Sequence, residues 1–262
     1  MDDLNVKEED FCPVCGKSRL RSMDVLGTVQ TFRVMCDCEA KERDKENERR
    51  AKEEKELEIR NNRDVAFSEK RLRSCTFESD DGNNPMLTRV CKNYAAHFPE
   101  FKRQNKGLLL YGTVGNGKTF MTAAIINKLI DEGRRVMMTN LSRIINRLWS
   151  EEDKNSCLDS MKEYELIVID DFGVERETDY INEKVYEIID ARYRSGLPLI
   201  ITTNLTGEDL RAPGDVKKQR IYSRIFEMCI PFKVEGKDRR KAALGRETNY
   251  FMQILKGERD DI

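Results

Sequence analysis

GTVGNGKT, residues 112–119, carries the spacing G-x-x-x-x-G-K-T, and its setting decides how the rest of the chain reads. It follows the apolar run GLLLY (107–111) and opens a stretch of helical composition, so it has the strand–loop–helix order that a phosphate-binding loop requires. Gly112, Gly115 and Gly117 allow the backbone N–H groups to turn inward toward phosphate oxygens. Thr113, Val114 and Asn116 complete the loop, and Phe120 lies directly beyond it. Lys118 is the cation expected at the β- and γ-phosphates, and Thr119 offers a hydroxyl to Mg²⁺, an ion that prefers oxygen ligands.

Outward from this loop, short apolar runs alternate with longer helical stretches. RVMMT precedes a helix over 141–152, ELIVID one over 182–194, and LPLIITTN one over 216–227, while the phosphate loop opens a helix over 119–131. Such alternation predicts an α/β fold with a parallel sheet between helical layers. Runs such as LIVI lack polar alternation, as strands covered on both faces do.

Two of these runs end in polar residues. ELIVIDD closes on Asp170 and Asp171, where a phosphate-loop enzyme needs its second Mg²⁺ contact. Asp170 is read as approaching the metal, and Asp171 as the general base that polarises the attacking water. LPLIITTN ends at Thr202, Thr203 and Asn204, and the Asn204 amide is read as orienting water between the γ-phosphate and Asp171; a strand-ending turn or helix cap is the competing reading.

Four of the eight cysteines stand near the N-terminus as CPVC and CDC. Cys12, Cys15, Cys36 and Cys38 supply four thiolates, a closed structural set for Zn²⁺. Cys75, Cys91, Cys157 and Cys229 are scattered singly and receive no role. Residues 39–63 mix acidic and basic side chains without Pro or Gly, with favourable i,i+4 pairs at Glu39/Arg43, Glu46/Arg50, Glu48/Lys52 and Glu56/Arg60, which predicts a solvated helical arm. The expected division is therefore a zinc-binding region over 1–38, a charged helical linker over 39–73 and a nucleotide-binding domain over 74–262.

Charged residues make up 36% of the chain yet nearly cancel, at a formal net charge of −1, so charge alone demands neither a nucleic acid nor a membrane partner. The start MDDLNVKEED lacks the zones of a signal peptide, and no apolar run approaches membrane-spanning length, so a cytoplasmic protein is expected.

GTVGNGKT, LIVIDD, IITTN, QRIYSR and EGKDRR, in this order, resemble the DnaC/DnaI helicase-loader family of AAA+ ATPases, from about Phe77 onward. The Asp170–Asp171 pair resembles that family and the related IstB transposition ATPases more than the Asp-Glu of most AAA+ proteins. The resemblance implies a five-stranded parallel AAA+ core that binds ATP and hydrolyses it slowly, under the stimulus of assembly or DNA. It implies an arginine finger for a neighbouring subunit's ATP, with Arg224 the first choice and Arg220 the second, and a second sensor at Arg239 or Arg240. Adenine is implied as the base, with residues 75–77 as its neighbours. The implied partners are a DnaB-type hexameric helicase, single-stranded DNA and further copies of the chain. Ile144, Ile145, Leu148 and Trp149 read first as a core stripe and second as a base-stacking surface, with Arg143 and Arg147 near phosphates. The resulting expectation is an ATP-dependent loader of the replicative helicase. Its alternatives are an IstB-like transposition helper and a zinc-dependent adaptor with little or no ATP turnover.

Overall fold

The computed structural model describes residues 10–150, 154–175, 178–212, 214–236, 238, 248 and 251–256. The chain divides into two compact units, Met1–Glu58 and Ile59–Ile262.

In the first unit, β1 (Leu20–Val25) and β2 (Thr28–Arg33) form an antiparallel hairpin whose turn carries Leu26 and Gly27 at positive φ. The hairpin joins the two cysteine pairs, and α1 (Asp37–Ala66) begins directly after Cys36. The Cys36 backbone N–H donates to Glu39 Oε2 at 3.2 Å, half of a capping box, and Glu39 also pairs with Arg19. Along α1, Arg50 meets Glu46 at 3.0 Å and Arg49 meets it at 2.9 Å, exposed pairs that support the helix only weakly.

The division between units falls within α1. Ala66, Phe67 and Leu72, which the sequence placed in the linker, are buried in the core of the second unit. Phe67 forms a parallel bridge to Met138, and the Ser68 hydroxyl donates to Met138 O at 3.3 Å. These apolar side chains are embedded in a charged stretch, which hid their burial.

The second unit is built on five parallel strands. In chain order, α2 (Pro85–Ala96) and α3 (Phe98–Arg103) precede β3 (Gly107–Tyr111), α4 (Lys118–Asp131) and β4 (Val136–Thr139). Then come α5 (Leu141–Ser150), α6 (Lys154–Ser160), β5 (Leu166–Phe172), α7 (Asp179–Ser195) and β6 (Leu199–Thr203). The remaining elements are α8 (Gly207–Arg211), α9 (Val216–Met228) and β7 (Cys229–Lys233). The strand order is β4-β5-β6-β3-β7.

Alternation hidden inside the apolar runs sorts them between the two faces. Leu108, Leu110, Leu166, Val168 and Ile200 pack against α2 and α4, while Leu109, Ile167, Ile169, Leu199 and Ile201 pack against α5, α7 and α9. Caps fix the helix ends: Asn84 accepts from Leu87 N at α2, Thr178 accepts from Ile181 N at α7, and α7 stops at Gly196 in the left-handed region. The four strands read from the runs are present, and the fifth, β7, is an edge strand whose Pro231 and exposed Ile230 obscured it.

Candidate functional site

The C-terminal ends of β3, β5 and β6 converge, the position at which open parallel sheets receive ligands. A cavity of about 390 Å³ opens there, lined by the loop from Val114 to Phe120, by Asp171 and Asn204, and on the far side by Arg71, Leu72, Cys75, Ser79 and Asp81.

The loop's geometry follows from its residues. Gly112 has φ 138°, and a Cβ there would lie 2.4 Å from Val234 O, so only glycine admits this approach to the strand-end segment. Gly117, at φ 93°, turns the chain into α4 and leaves that helix's N-terminal N–H groups facing the loop. Asn116 is buried; its Nδ2 donates to Val234 O at 2.7 Å, and its Oδ1 accepts from Lys118 Nζ at 3.2 Å. Lys118 Nζ also donates to Gly112 O at 2.8 Å and Thr113 O at 2.7 Å, which holds a buried ammonium at the floor of the loop. Thr113 lies at its rim, and its carbonyl is one of the acceptors that Lys118 would exchange for phosphate oxygens.

Asp170 and Asp171 occupy an irregular point in the sheet. Ile169 pairs with Ile201 but Phe172 pairs with Thr203, so β5 carries one residue more than β6 between these rungs. This is a β-bulge, a device that re-aims side chains beside ligand sites. Asp171 takes the left-handed conformation at φ 53°, uncommon for a residue with a side chain. Asp170 Oδ1 accepts from Thr119 Oγ1 at 3.1 Å and from Thr202 Oγ1 at 2.6 Å. Burial pushes the Asp170 carboxyl up, the Thr202 hydrogen bond pulls it back, and the charge of Asp171 pushes it further up. Thr119 and Asp170 therefore present hydroxyl and carboxylate oxygens at one point beside the start of α4, a donor set that fits Mg²⁺. Of the sequence-predicted residues, the structure brings Val114, Gly115, Asn116, Gly117, Lys118, Thr119, Phe120, Asp171 and Asn204 onto one cavity, with Asp170 behind Thr119.

The candidate finger residues lie apart from this cavity on α9. Arg224 Nη2 pairs with Asp190 at 2.7 Å, and its guanidinium lies over the rings of Tyr186 and Tyr193 at 4.4 and 5.6 Å. Arg220 is exposed and borders a groove with Asn182, Glu183, Tyr186 and Lys217. Arg239 and Arg240 lie outside the described residues. On α5, Ile144, Ile145 and Leu148 are buried in the core as expected for a stripe, whereas Trp149 is 71% exposed and stacks on Tyr180 at 5.8 Å. Arg143 and Arg147 line a separate groove beside β4.

In the first unit, the Sγ atoms of Cys12, Cys15, Cys36 and Cys38 all lie within 4.8 Å of one another. Gly16, in the left-handed region, donates its N–H to Cys12 O at 2.8 Å and closes the turn that gathers the first pair; the Val14 N–H points to Cys12 Sγ at 3.4 Å. The second pair brackets the start of α1. A hydrogen bond with Cys15, followed by burial and the neighbouring thiols' charge, pushes Cys38 up to about 11, so the cluster's ionisation is tied to binding a cation. Four sulfurs at this spacing fit tetrahedral Zn²⁺.

Sequence reasoning gave Thr202 no role beyond ending its strand, and it missed Arg71, Ser79 and Asp81, which lie in a short 3-10 turn and the loop after it, without a motif.

Among the described residues, no helix is long and apolar enough to cross a membrane. Residues 42–243 match the family described as IstB-like ATP binding protein. The chain is 25% identical over 184 residues to the replicative helicase loader DnaI of Bacillus subtilis, a match covering 64% of this chain and 59% of that one. It is 25% identical over 142 residues to the replicative helicase loader DnaC of Escherichia coli, covering 52% and 58%. It is also 25% identical over 186 residues to a Mycobacterium tuberculosis protein described as ATP-binding and belonging to an insertion sequence, covering 66% and 74%. The chain thus spans little more than half the length of either loader. A solved DnaI structure superposes with a TM-score of 0.55 at 24% identity, covering 66% of this chain and 94% of that one, and a DnaC helicase loader does so with 0.54 at 24%, covering 64% and 100%; both share its AAA+ fold. The chain belongs to the IstB-like ATP-binding protein family and has DnaI- and DnaC-type helicase loaders among its relatives.

Proposed function

We propose that this protein is an ATP-dependent loader of a replicative DNA helicase. The observation that carries the nucleotide half of the reading is the single cavity shared by the phosphate loop, Asp171 and Asn204, with Asp170 hydrogen-bonded to Thr119 behind it. Lys118 and the N-terminus of α4 would hold the phosphates, and Thr119 and Asp170 would hold Mg²⁺, which would supply charge neutralisation there. Asp171 accepts a proton from the attacking water, Asn204 orients that water, and Leu72 and Cys75 flank the base. ATP and single-stranded DNA binding then control assembly and release.

Arg220 is the better-placed finger of the two candidates. Arg224 is already paired with Asp190 and lies over two tyrosine rings, so withdrawing it costs those contacts, whereas Arg220 faces solvent. A guanidinium supplied in trans makes turnover report assembly.

The cysteine unit is read as the helicase-docking module, held in shape by Zn²⁺. Co-purification with the replicative helicase of the protein's source tests this. The zinc-loaded chain is expected to retain the helicase, and Cys12→Ser, which opens the cluster, to lose it while still binding nucleotide. Retention of the helicase by neither protein moves the reading to a transposition helper, the role suggested by the insertion-sequence relative.

A further inference from the structure

A β-bulge leaves backbone groups without ladder partners, and the bulge at Asp170–Asp171 falls where the carboxylates must be aimed most accurately. Thr202, on the neighbouring β6, answers this with its side chain. It is 0% exposed and lies at the level of the extra residue. Its Oγ1 accepts the Asp171 N–H at 2.9 Å and donates its proton to Asp170 Oδ1 at 2.6 Å. One hydroxyl thus takes the ladder bond that the bulge removes and orients the adjacent carboxylate. Thr203 secures the other side, donating from Oγ1 to Phe172 O at 2.7 Å.

We propose that Thr202 is a positioning residue that couples the metal-facing carboxylate of Asp170 to the left-handed backbone of Asp171. The hydroxyl's donor and acceptor roles are both committed, so rotating Asp170 away from Thr119 breaks the bond to Thr202 and frees the side chain that holds the Asp171 amide in place. Valine has the same shape and can do neither. Serine keeps both bonds and loses one methyl group. The inference rests on reading the cavity as a Mg²⁺–nucleotide site.

The test is a Mg²⁺ titration of fluorescent ATP-analogue binding, with hydrolysis measured in parallel, on the full chain and on Thr202→Val, Thr202→Ala and Thr202→Ser. Outer partners of metal ligands typically alter metal affinity by about 10- to 100-fold. Thr202→Val and Thr202→Ala are expected to raise the half-saturating Mg²⁺ concentration by roughly tenfold or more. Metal-free nucleotide binding is expected to stay unchanged, and Thr202→Ser to fall close to the unsubstituted protein. If Thr202→Val does not fold, the alanine–serine pair decides the matter. A folded Thr202→Val or Thr202→Ala with unaltered Mg²⁺ dependence overturns the inference, as does a serine variant as impaired as alanine, since that result assigns the effect to packing. If the unsubstituted protein shows no Mg²⁺-dependent nucleotide binding, the reading of the site itself fails.

Discussion

Asp171 is held at φ 53°, a conformation that Asn tolerates better than most residues, and its backbone N–H is bonded to Thr202. Asp171→Asn therefore removes the proton acceptor while leaving both the strained backbone and its hydrogen bond in place. We expect nucleotide affinity to change little and turnover to fall by about 10²-fold or more, the contribution of a positioned general base. Unchanged turnover means that a different group accepts the proton. Glu175, three residues beyond Phe172, is then the carboxylate to substitute next: burial raises its carboxyl, and its Oε2 accepts from Gly173 N at 2.9 Å. At this scale the sequence was informative wherever spacing alone defines chemistry, as in the phosphate loop and the cysteine pairs. It marked Thr202 only as part of a polar strand end and gave it no role, because that role comes from a one-residue register shift between two strands. Nor could it show that the Asn116 side chain ties the loop to Val234, because that contact spans 118 residues.

Arg192 joins elements that no motif marks. It is fully buried, and its guanidinium donates to Pro198 O, Met161 O, Tyr164 O and Glu165 O, all at 2.8 to 3.2 Å, pinning α7 to the starts of β5 and β6. Burial lowers its pKa, and the carbonyl dipoles stand in for water around the charge. Arg192→Leu strands several buried acceptors and is expected to lower unfolding free energy by about 3 kcal/mol or more. Arg192→Lys recovers little of this, because an ammonium cannot reproduce the planar fork. Denaturant unfolding checks both, and a lysine variant as stable as the original contradicts the clamp. The elements legible beforehand were those with strong periodicity: β3 to β6, α4, α5, α7, α9 and the charged α1. The β1–β2 hairpin escaped because it has no buried face to impose alternation. The burial of Phe67 and Leu72 escaped because a short run at 65–67 and one leucine are set among charged residues.

At the scale of the whole molecule, the chain combines two compact units with distinct sources of order. The first gathers four sulfurs at a turn and a helix start, and the second is built on a five-stranded sheet with a packed core on each face. The fold class was legible because a phosphate loop between a strand and a helix admits few architectures. The use made of ATP was legible only through resemblance, since loaders and transposition helpers share the same core. The most direct test of the loader reading is therefore functional: transfer of the source's replicative helicase onto circular single-stranded DNA, measured with the intact chain, Lys118→Ala and Arg220→Ala. The account predicts loading by the intact chain with ATP and its loss in both variants, from failed phosphate binding in the first and failed contact between subunits in the second. Loading by Lys118→Ala at the level of the intact chain would contradict an ATP-controlled loader.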